Sequence, residues 1–345
     1  MQKIPVAILG ATGSVGQKFV ELLVDHPWFE IVALCASERS VGKPYREAAG
    51  WFLSVAMPER VREMIVQPCE PTLNARLVFS GLDSAVAGDI ESAFADAGYV
   101  VVSNSKNHRM DPDVPLVVPE INGDHLALVH RQAHVGGMIV TNPNCSTIGL
   151  VMALKPLHDR FGIEALTVTT LQALSGAGYP GVPSLDIVDN VIPYIGGEEG
   201  KMESEPLKIF GTLTDHRIVS AAMTISAQCN RVAVIDGHTE CVSARLTKPA
   251  TLEGIKTAWR EFSAEPQTLD LPMAPLHPTV YFEEDNFPQP RLHRSRDKGM
   301  AVAIGRLRPC PVLDWKFVLM AHNTVRGAAG GAILIAELMH KRGLL

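Results

Sequence analysis

Long apolar runs and basic runs are both missing from this sequence. No stretch approaches the roughly 18 uninterrupted apolar residues that a membrane-spanning helix needs. No cluster of lysines and arginines stands out, and the formal net charge is −6 at pH 7, so neither a nucleic acid nor a membrane is expected as a partner. The N-terminus enters a strand pattern at once and lacks the apolar core of a signal peptide, so we expect a cytoplasmic protein.

Paired cysteines are missing as well. The six cysteines are scattered along the chain, with no CxxC pair and no Cys/His cluster. This distribution argues against a zinc site and against a disulfide framework, so we expect no bound metal. A reducing compartment is the simplest environment for six separate thiols.

The first third of the chain alternates short apolar strands with helical stretches. This βαβ rhythm predicts a mainly parallel sheet covered by helices on both faces, as in a Rossmann-like dinucleotide-binding domain. Crossover helices are predicted over 14–24 and 84–97. The predicted strands are 6–9, 31–35, 77–79, 100–103 and 138–140.

From about residue 167 the apolar pattern changes to longer alternating runs, which predict a sheet with antiparallel pairing and one exposed or interface face. The predicted fold class is therefore α/β. An N-terminal Rossmann-like domain, 1–144, is completed by a C-terminal helix within 324–345. An α+β catalytic and oligomerisation domain with a large mixed sheet spans 145–323, and its proline-rich stretch 266–290 is expected to be mostly loop. The predicted strands are 166–171, 219–227, 229–234, 239–246 and 300–307.

A glycine-rich turn, Gly10-Ala11-Thr12-Gly13-Ser14-Val15-Gly16, follows the first predicted strand. In this GxxGxxG variant of the dinucleotide fingerprint, the first glycine makes the tight turn and the second lets the backbone approach a pyrophosphate. The third glycine permits close contact between helix and strand. Because the following helix turns its N-terminus towards the anion, the strand–turn–helix context predicts a bound dinucleotide.

The end of the second predicted strand, within 34–40, bears on the choice between NAD and NADP. NAD-specific domains usually place an acidic residue there, but the matching position in this chain is uncharged. Ser37 and Ser40 can donate hydrogen bonds to a 2′-phosphate and Arg39 can pair with its charge, so NADP(H) is predicted. Glu38 leaves the alternative open, since a small shift in register puts its carboxylate at the ribose.

Cys145 lies between the turn 142–144 and a helix-compatible stretch, 148–158. The positive end of a helix favours a thiolate over a thiol, and a thiolate is a nucleophile for acyl groups. The backbone N–H groups of the same turn can also stabilise an oxyanion. The alternative is a buried structural cysteine that behaves as a small apolar side chain.

Three further polar residues stand in or beside apolar strands. Gln172 interrupts an apolar run, and its amide is suited to orient a substrate or a water rather than to transfer protons. Arg231 and His238 bracket a predicted apolar strand. Arginine is suited to a bidentate carboxylate clamp, and histidine acts as acid or base near neutral pH. Taken singly, each has a structural role as its ordinary alternative.

Together these motifs resemble the aspartate-β-semialdehyde dehydrogenases along most of the chain. GATGSVG, the run NPNCST, the glutamine 27 residues after the cysteine and the Arg–His pair seven residues apart follow in order. The variants SGAGYPG, RVAVIDGHTE and HNTVRGAAGG are similar to the archaeal and fungal branch of that family.

The resemblance implies roles at the matching positions. Cys145 would be the nucleophile, His238 the acid/base and Gln172 the orienting residue. For the other charged residues of 198–208 a solvated helix face is the alternative, and Pro206 stands where the family often has Thr. Substrate contacts would come from Arg231 (α-carboxylate), Glu205 (amine), and Arg109, Asn144 and Lys208 (phosphate). Cofactor contacts would come from Gly10, Thr12, Gly13, Ser14, Val15, Ser37, Arg39, Ser40, Ser80, Ser175, Gly176 and Asn323.

The implied reaction is the NADPH-dependent reductive dephosphorylation of L-4-aspartyl phosphate to L-aspartate 4-semialdehyde through a Cys145 thioester. It belongs to the biosynthesis of lysine, threonine, methionine and isoleucine. The closest alternative is malonyl-CoA reductase, which needs no amine-binding carboxylate, and other acyl reductases of this scaffold match less well. A non-catalytic dinucleotide sensor is the alternative of a different class, and it has no reason to keep Cys145, Gln172, Arg231 and His238 together. A homodimer or homotetramer with small-molecule substrates is expected.

Overall fold

The computed structural model describes residues 2–214 and 217–345. The chain divides into two compact units: the first comprises Met1–Val117, Asp124–Pro143 and Ala328–Leu345, and the second Val118–Gly123 and Asn144–Gly327. The predicted boundaries place 118–123 in the first domain instead, and they remain predictions. No helix in the described part of the chain combines the length and the apolar character needed to span a bilayer.

The first unit is built on a parallel six-stranded sheet with the order β3-β2-β1-β4-β5-β6. The chain starts in the middle of this sheet and winds outward to both edges, which is the order of the predicted dinucleotide-binding fold. Its strands are β1 (Ile4–Leu9), β2 (Phe29–Ala36), β3 (Gln67–Pro68), β4 (Leu77–Ser80), β5 (Val100–Ser103) and β6 (Met138–Thr141). Its helices are α1 (Ser14–Leu23), α2 (Tyr45–Ala48), α3 (Glu59–Arg62), α4 (Ser84–Asp96) and the C-terminal α12 (Gly330–Lys341).

The core of the first unit follows from its apolar strands. β4 and β5 are buried along their whole length, as expected for parallel strands with helices on both faces. Helix α12 is also buried almost throughout, and its Glu337 lies 2.7 Å from the ring of buried His26. The C-terminal residues thus complete the unit that the N-terminal residues begin.

The second unit is built on a mixed six-stranded sheet with the order β10-β7-β11-β14-β13-β12. The fold class predicted from the sequence is confirmed. Its strands are β7 (Ile163–Gln172), β8 (Thr212–Leu213), β9 (Ile218–Val219), β10 (Thr224–Arg231), β11 (His238–Leu246), β12 (Thr279–Tyr281), β13 (Val302–Pro309) and β14 (Trp315–Ala321). Its helices are α5 (Pro119–Asn122), α6 (Cys145–Phe161), α7 (Ser184–Ile187), α8 (Glu198–Ile209), α9 (Leu252–Arg260), α10 (Glu265–Thr268) and α11 (Pro290–His293).

Two adjacent strand predictions in the second unit are wrong. The predicted strands 219–227 and 229–234 are replaced by the single strand β10, and residues 232–237 form a loop. The reason is the strand order: β10 and β11 lie on opposite sides of β7, so the chain between them has to pass over the end of β7. Gly237, with a φ of 98°, completes the turn into β11.

The glycine-rich turn between β1 and α1 depends on close backbone approach. Gly10 has a φ of 74°, and a Cβ there would lie 2.7 Å from the carbonyl oxygen of Gly81. A Cβ at Gly16 would lie 2.1 Å from the Gly10 carbonyl oxygen, whereas a Cβ at Gly13 would meet its nearest neighbour at 3.4 Å. The first and third glycines are therefore required by packing, and the second is not.

We predict that Gly16→Ala destabilises the protein far more than Gly13→Ala, which costs only the preference of a helix cap for glycine over alanine. The added methyl of Gly16→Ala overlaps fixed backbone, so the free energy of unfolding should fall by about 3 kcal/mol, the upper part of the usual range for overpacking. Gly13→Ala is the matched control in the same turn. Urea denaturation measures both, and equal stability of the two variants would contradict the packing argument.

Candidate active site

Cys145 is the first residue of helix α6, and Asn144 caps that helix. The Asn144 Oδ1 accepts hydrogen bonds from the backbone N–H groups of Ser146 at 3.0 Å and Thr147 at 3.2 Å. This cap holds the half-buried Cys145 at the positive end of a 17-residue helix. The predicted position of the cysteine at a helix N-terminus is confirmed, although the helix begins three residues earlier than predicted.

A tight turn of the chain lies directly behind Cys145. A Cβ added at Gly327 would be 2.8 Å from the Cβ of Cys145, so no larger residue fits there without moving the cysteine. Gly327 belongs to a π-helical turn, Val325–Ala329. Within that turn the buried Arg326 donates two hydrogen bonds to the buried carboxylate of Glu120, at 2.7 and 2.6 Å. This bidentate pair fixes the turn against which the cysteine packs.

Three polar side chains lie in one row across the sheet of the second unit. Arg231 is the register partner of Gln172 in the parallel pair of β10 and β7. On the other side of β7, Thr239 is the register partner of Leu171 in the antiparallel pair of β11 and β7, which brings His238 level with Gln172. The three residues predicted as partners of the cysteine therefore meet at one edge of the sheet.

The His238 ring connects this row to the nucleophile. Its Nε2 lies 3.2 Å from the Sγ of Cys145, and its Nδ1 accepts a hydrogen bond from the backbone N–H of Ala173 at 3.0 Å. Because Nδ1 is an acceptor, a neutral ring carries its proton on Nε2, the nitrogen that faces the sulfur. Burial, together with Arg231, lowers the pKa of His238 to about 3.

Arg231 is held at the same edge. Its Nη1 donates a hydrogen bond to the carbonyl oxygen of Ala173 at 2.6 Å, and the side chain is buried. Burial also lowers the pKa of the guanidinium. A Cβ at Gly176 would lie 2.9 Å from Arg231 Nη1 and 3.2 Å from His238 Nε2, so this glycine keeps space beside both side chains.

Helix α8 directs buried carboxylates at the cap of α6. Glu205 Oε2 accepts a hydrogen bond from the backbone N–H of Asn144 at 2.7 Å, and Lys208 is buried one turn further along. Glu198 accepts from the Asn144 Nδ2 at 2.9 Å and from the Gln172 Nε2 at 3.3 Å. The alternative of a solvated helix face does not hold for Glu198, because the residue is only 7% exposed. A charge pattern along a helix does not reveal which carboxylate is enclosed by a neighbouring cap.

The amide of Asn323 is engaged at both ends within the second unit. Its Nδ2 donates to the hydroxyl of Ser175 at 2.8 Å, and its Oδ1 accepts from the backbone N–H of Gly237 at 2.9 Å. Ser175 and Asn323, both predicted to contact the cofactor, are thus brought together by a direct hydrogen bond.

The predicted dinucleotide contacts of the first unit surround the turn from β1 to α1. Gly13 caps α1 and has no side chain to bond the N–H groups of its first turn. Thr12, Ser14 and Val15 lie in this turn, and the hydroxyl of Tyr45 donates to the Ala11 carbonyl at 2.7 Å. The arrangement leaves backbone donors for a phosphate group.

The turn that follows β2 holds the residues proposed to select the cofactor. Ser37 and Arg39 are exposed and Ser40 is half-buried, next to the end of β1 in the sheet. The ammonium of Lys43 donates to the Arg39 carbonyl oxygen at 2.7 Å. Lys43 is a second cation of this turn that sequence reasoning missed, since it lies outside the short fingerprint.

Further candidates of the first unit lie at the ends of β4 and β5. Ser80 donates to the buried carboxyl of Glu91 at 2.5 Å, and Ser103 donates to the same oxygen at 2.7 Å. Burial raises the pKa of Glu91. Arg109 is buried in the loop that follows β5, where its guanidinium donates to the Asn104 carbonyl oxygen at 2.7 Å.

No group of three His, Cys, Asp or Glu side chains arranged to hold a metal ion occurs within residues 2–214 and 217–345. All six cysteines are free thiols. The site combines a helix-capped thiol with a neutral imidazole, an amide and a guanidinium.

Comparison with known proteins places the chain in one family. Its residues 5–129 match the semialdehyde dehydrogenase NAD binding domain, and its residues 154–326 match the semialdehyde dehydrogenase dimerisation domain. The aspartate-semialdehyde dehydrogenase of Archaeoglobus fulgidus is 48% identical over 344 residues, 99% of each chain. That of Candida albicans is 48% identical over 98% of each chain. The chain belongs to the aspartate-semialdehyde dehydrogenase family.

Solved structures agree with this assignment and confirm the family resemblance drawn from the motifs. The crystal structure of aspartate semialdehyde dehydrogenase with NADP from Candida albicans matches with a TM-score of 0.93 and 46% identity over 100% of both chains. Aspartate semialdehyde dehydrogenase II complexed with ASA from Vibrio cholerae matches with a TM-score of 0.79 and 28% identity over 99% of each chain.

The low pKa of His238 predicts an acid-sensitive fold. The unfolded chain takes up a proton at this histidine below pH 6.5, whereas the native ring does not until about pH 3, so the free energy of unfolding falls as the pH drops through this window. Between pH 7.5 and 5.0 the loss due to this one group is about 2 kcal/mol. Chemical denaturation of the wild type and of His238→Asn should show a loss smaller by this amount in the variant.

The exposed His277 provides the control for this measurement. His277→Asn should follow the wild type at both pH values. An equal acid loss in His238→Asn and the wild type would show that the native fold does not lower the pKa of His238.

Proposed function

We propose that this protein catalyses the reversible, NADP-dependent conversion of L-4-aspartyl phosphate to L-aspartate 4-semialdehyde. The observation that carries the proposal is the 3.2 Å contact between Cys145 Sγ and His238 Nε2 at the N-terminus of α6. Gln172 and Arg231 lie level with this histidine at the same sheet edge. The family relatives, which are named for this enzyme activity, support the same reaction.

The substrate has three charged ends, and the chain has a side chain for each. Arg231 is proposed to bind the α-carboxylate, because its planar guanidinium is held at one edge by the Ala173 carbonyl. Glu205 is proposed to bind the amine. Arg109, Asn144 and Lys208 are proposed to bind the phosphate. Malonyl-CoA, the alternative substrate, has no amine to match a buried carboxylate.

The proposed chemistry begins with sulfur. The Cys145 thiolate attacks the acyl carbon, a C–S bond forms, and the C–O bond to phosphate breaks. The positive end of α6, at which Cys145 stands, favours the oxyanion formed in this step. After reduction of the thioester, the tetrahedral alkoxide expels the thiolate and leaves the aldehyde. His238 keeps its Nε2–H directed at the sulfur while the thiolate attacks and leaves; its role as a proton-transfer group stays a prediction.

The first unit fits the proposed cofactor. The N–H groups in the first turn of α1 are proposed to bind a pyrophosphate, and Gly13, where an added Cβ would meet nothing closer than 3.4 Å, leaves room beside them. Ser37, Arg39 and Ser40 are proposed to hold the 2′-phosphate, and Ser80, Ser175, Gly176 and Asn323 are proposed to contact the remainder of the cofactor. When bound, NADPH supplies the hydride that reduces the thioester.

We propose that the protein assembles as a homodimer through its second unit. The dimerisation-domain match covers residues 154–326, and large apolar side chains are exposed in that stretch, including Leu185 at 92% and Tyr194 at 69%. Exposed apolar side chains in one segment are typical of an interface. A homotetramer is the alternative, and the mass in solution distinguishes the two. A cytoplasmic location and a place in the biosynthesis of the aspartate-derived amino acids are parts of the same proposal.

The function is tested by adding aspartate semialdehyde, phosphate and NADP and following NADPH absorbance. The wild type should form NADPH, whereas malonyl-CoA with NADPH should give no oxidation. Cys145→Ala should reduce turnover below about 1% of the wild type, because the C–S bond cannot form. Cys145→Ser should keep only a trace, since an alkoxide is far less available than a thiolate.

The control is cofactor binding, measured by fluorescence quenching or calorimetry. It should be nearly unchanged in Cys145→Ala, because the cysteine is distinct from the dinucleotide turn. A Cys145→Ala protein that keeps more than a few per cent of the activity would exclude covalent catalysis at this residue.

Cofactor selection gives a separate prediction. Arg39→Ala should weaken NADP binding by about tenfold to a hundredfold, the value of a lost charge-assisted contact, and should weaken NAD binding much less. Lys43→Ala is a second test of the same turn, since this ammonium bonds the Arg39 carbonyl. Equal losses for both cofactors in Arg39→Ala would show that Arg39 does not bind the 2′-phosphate and would direct attention to Glu38.

A further inference from the structure

Glu198 is enclosed by two residues of the proposed site. Its carboxylate accepts hydrogen bonds from Asn144 Nδ2 at 2.9 and 3.2 Å and from Gln172 Nε2 at 3.3 Å. Lys201, one turn along α8, forms an ion pair with it. Neither amide-bearing residue belongs to α8, so this carboxylate joins the helix cap of the nucleophile to the end of β7.

The Glu198 carboxyl is ionised in this environment. Burial alone raises the pKa of a carboxyl group, but here Lys201 and the hydrogen bonds from Asn144 and Gln172 outweigh burial and lower it. An ionised carboxylate accepts hydrogen bonds and donates none. Any side-chain amide in contact with it must therefore present its NH2 group.

Asn144 shows this rule independently. Its Oδ1 is already committed to the backbone N–H groups of Ser146 and Thr147. Its Nδ2 is thus the end that faces Glu198 for a reason unrelated to Gln172. The helix cap and the carboxylate thus require the same orientation of the Asn144 amide.

Both N–H donors of the Gln172 side-chain amide are engaged within the protein. One is directed at Glu198 Oε2 and the other at Thr170 Oγ1, each at 3.3 Å. The carboxylate determines which end of the amide turns towards it, since a reversed amide would set two acceptors against each other. Oε1 is the end that Gln172 offers to a bound molecule.

We propose that Glu198 is a positioning residue that holds the Gln172 amide with its carbonyl oxygen towards the substrate, so that Gln172 acts as a hydrogen-bond acceptor. This inference rests on the proposed function. Gln172 then accepts from the substrate ammonium or from a hydroxyl, and it does not stabilise an oxyanion. Stabilisation of the oxyanion is left to the positive end of α6.

The first experiment measures kcat and KM for aspartate semialdehyde in Glu198→Gln. An introduced glutamine can pair with Gln172 in either orientation, so the carbonyl end is no longer specified. We expect kcat to fall by about tenfold or more, the effect of losing a hydrogen bond to a charged group, with KM within about threefold of the wild type. Glu203→Gln is the matched control, because this half-buried glutamate of the same helix bonds the backbone N–H of Ala227 outside the site and should leave both constants unchanged.

A double-mutant cycle tests whether Glu198 acts through Gln172. In a Gln172→Ala background, Glu198→Gln should change kcat by less than about twofold, because the group that it positions is gone. An exchanged pair gives the sharper test. Gln172→Glu alone brings two carboxylates together and should be nearly inactive. In the double variant Gln172→Glu/Glu198→Gln, the new amide at position 198 can donate to the new carboxylate at position 172. That carboxylate still presents an oxygen to the substrate, so part of the lost kcat should be recovered.

Three results would overturn the proposal: a Glu198→Gln enzyme with the kcat of the wild type, additive losses in the cycle, or an exchanged pair no more active than Gln172→Glu. If Glu198→Gln does not fold, Glu198→Asp keeps the charge one methylene short of both amides, and full kcat in that variant would equally overturn it. A wild type without semialdehyde activity would refute the proposed function instead, which keeps the two failures distinct.

Discussion

The position of β7 between a parallel and an antiparallel neighbour is the constraint on which the candidate site depends. A parallel strand, β10, ends beside the end of β7, whereas an antiparallel strand, β11, begins there. One pairing therefore places Arg231, and the other places His238, next to Gln172. Because side chains alternate between the faces of a sheet, a register slip of one residue in either strand would turn its side chain to the opposite face.

The sequence was sufficient for the fold class and for the polar residues of this row, but not for the backbone between them. Alternating apolar residues from 219 to 234 have the period of a strand, and periodicity carries no information about where a strand has to stop. The stop is set by the crossing over β7, which is a property of strand order. Contacts between distant segments were equally hidden: Arg326 and Glu120 form a buried pair across 206 positions of the chain.

Helix α8 shows why the burial of a charged segment cannot be predicted from its sequence alone. Its acidic residues are alike in the sequence, but Glu205 and Glu198 are buried at the α6 cap while Glu203 bonds the edge of β10. Helix α8 contacts both the α6 cap and strand β10, and the burial and partner of each glutamate depend on which of the two it contacts. The charged faces of a helix are assigned to solvent by default, and that default fails where a helix N-terminus supplies donors to a carboxylate.

Buried carboxyl groups in the second unit divide into two kinds according to their partners. Glu198 keeps its charge because a lysine and two amides surround it. Glu240 lies two residues after His238 on β11, is fully buried, and has no hydrogen-bond partner for either oxygen among the described residues. Burial raises the pKa of Glu240 well above its ordinary value, so this group is neutral. Of these two, only Glu198 therefore contributes negative charge.

A neutral His238 is compatible with chemistry in which sulfur attacks and leaves as a thiolate. An imidazolium would need a proton on Nδ1, where the N–H of Ala173 already points, so the backbone opposes the charged ring. The neutral ring still offers its Nε2–H to the sulfur 3.2 Å away, and a donor to a departing thiolate lowers the charge on the leaving atom without giving up a proton. In the proposed reaction the buried, backbone-fixed histidine contributes orientation and a hydrogen bond, and the hydride transfer itself requires no proton from it.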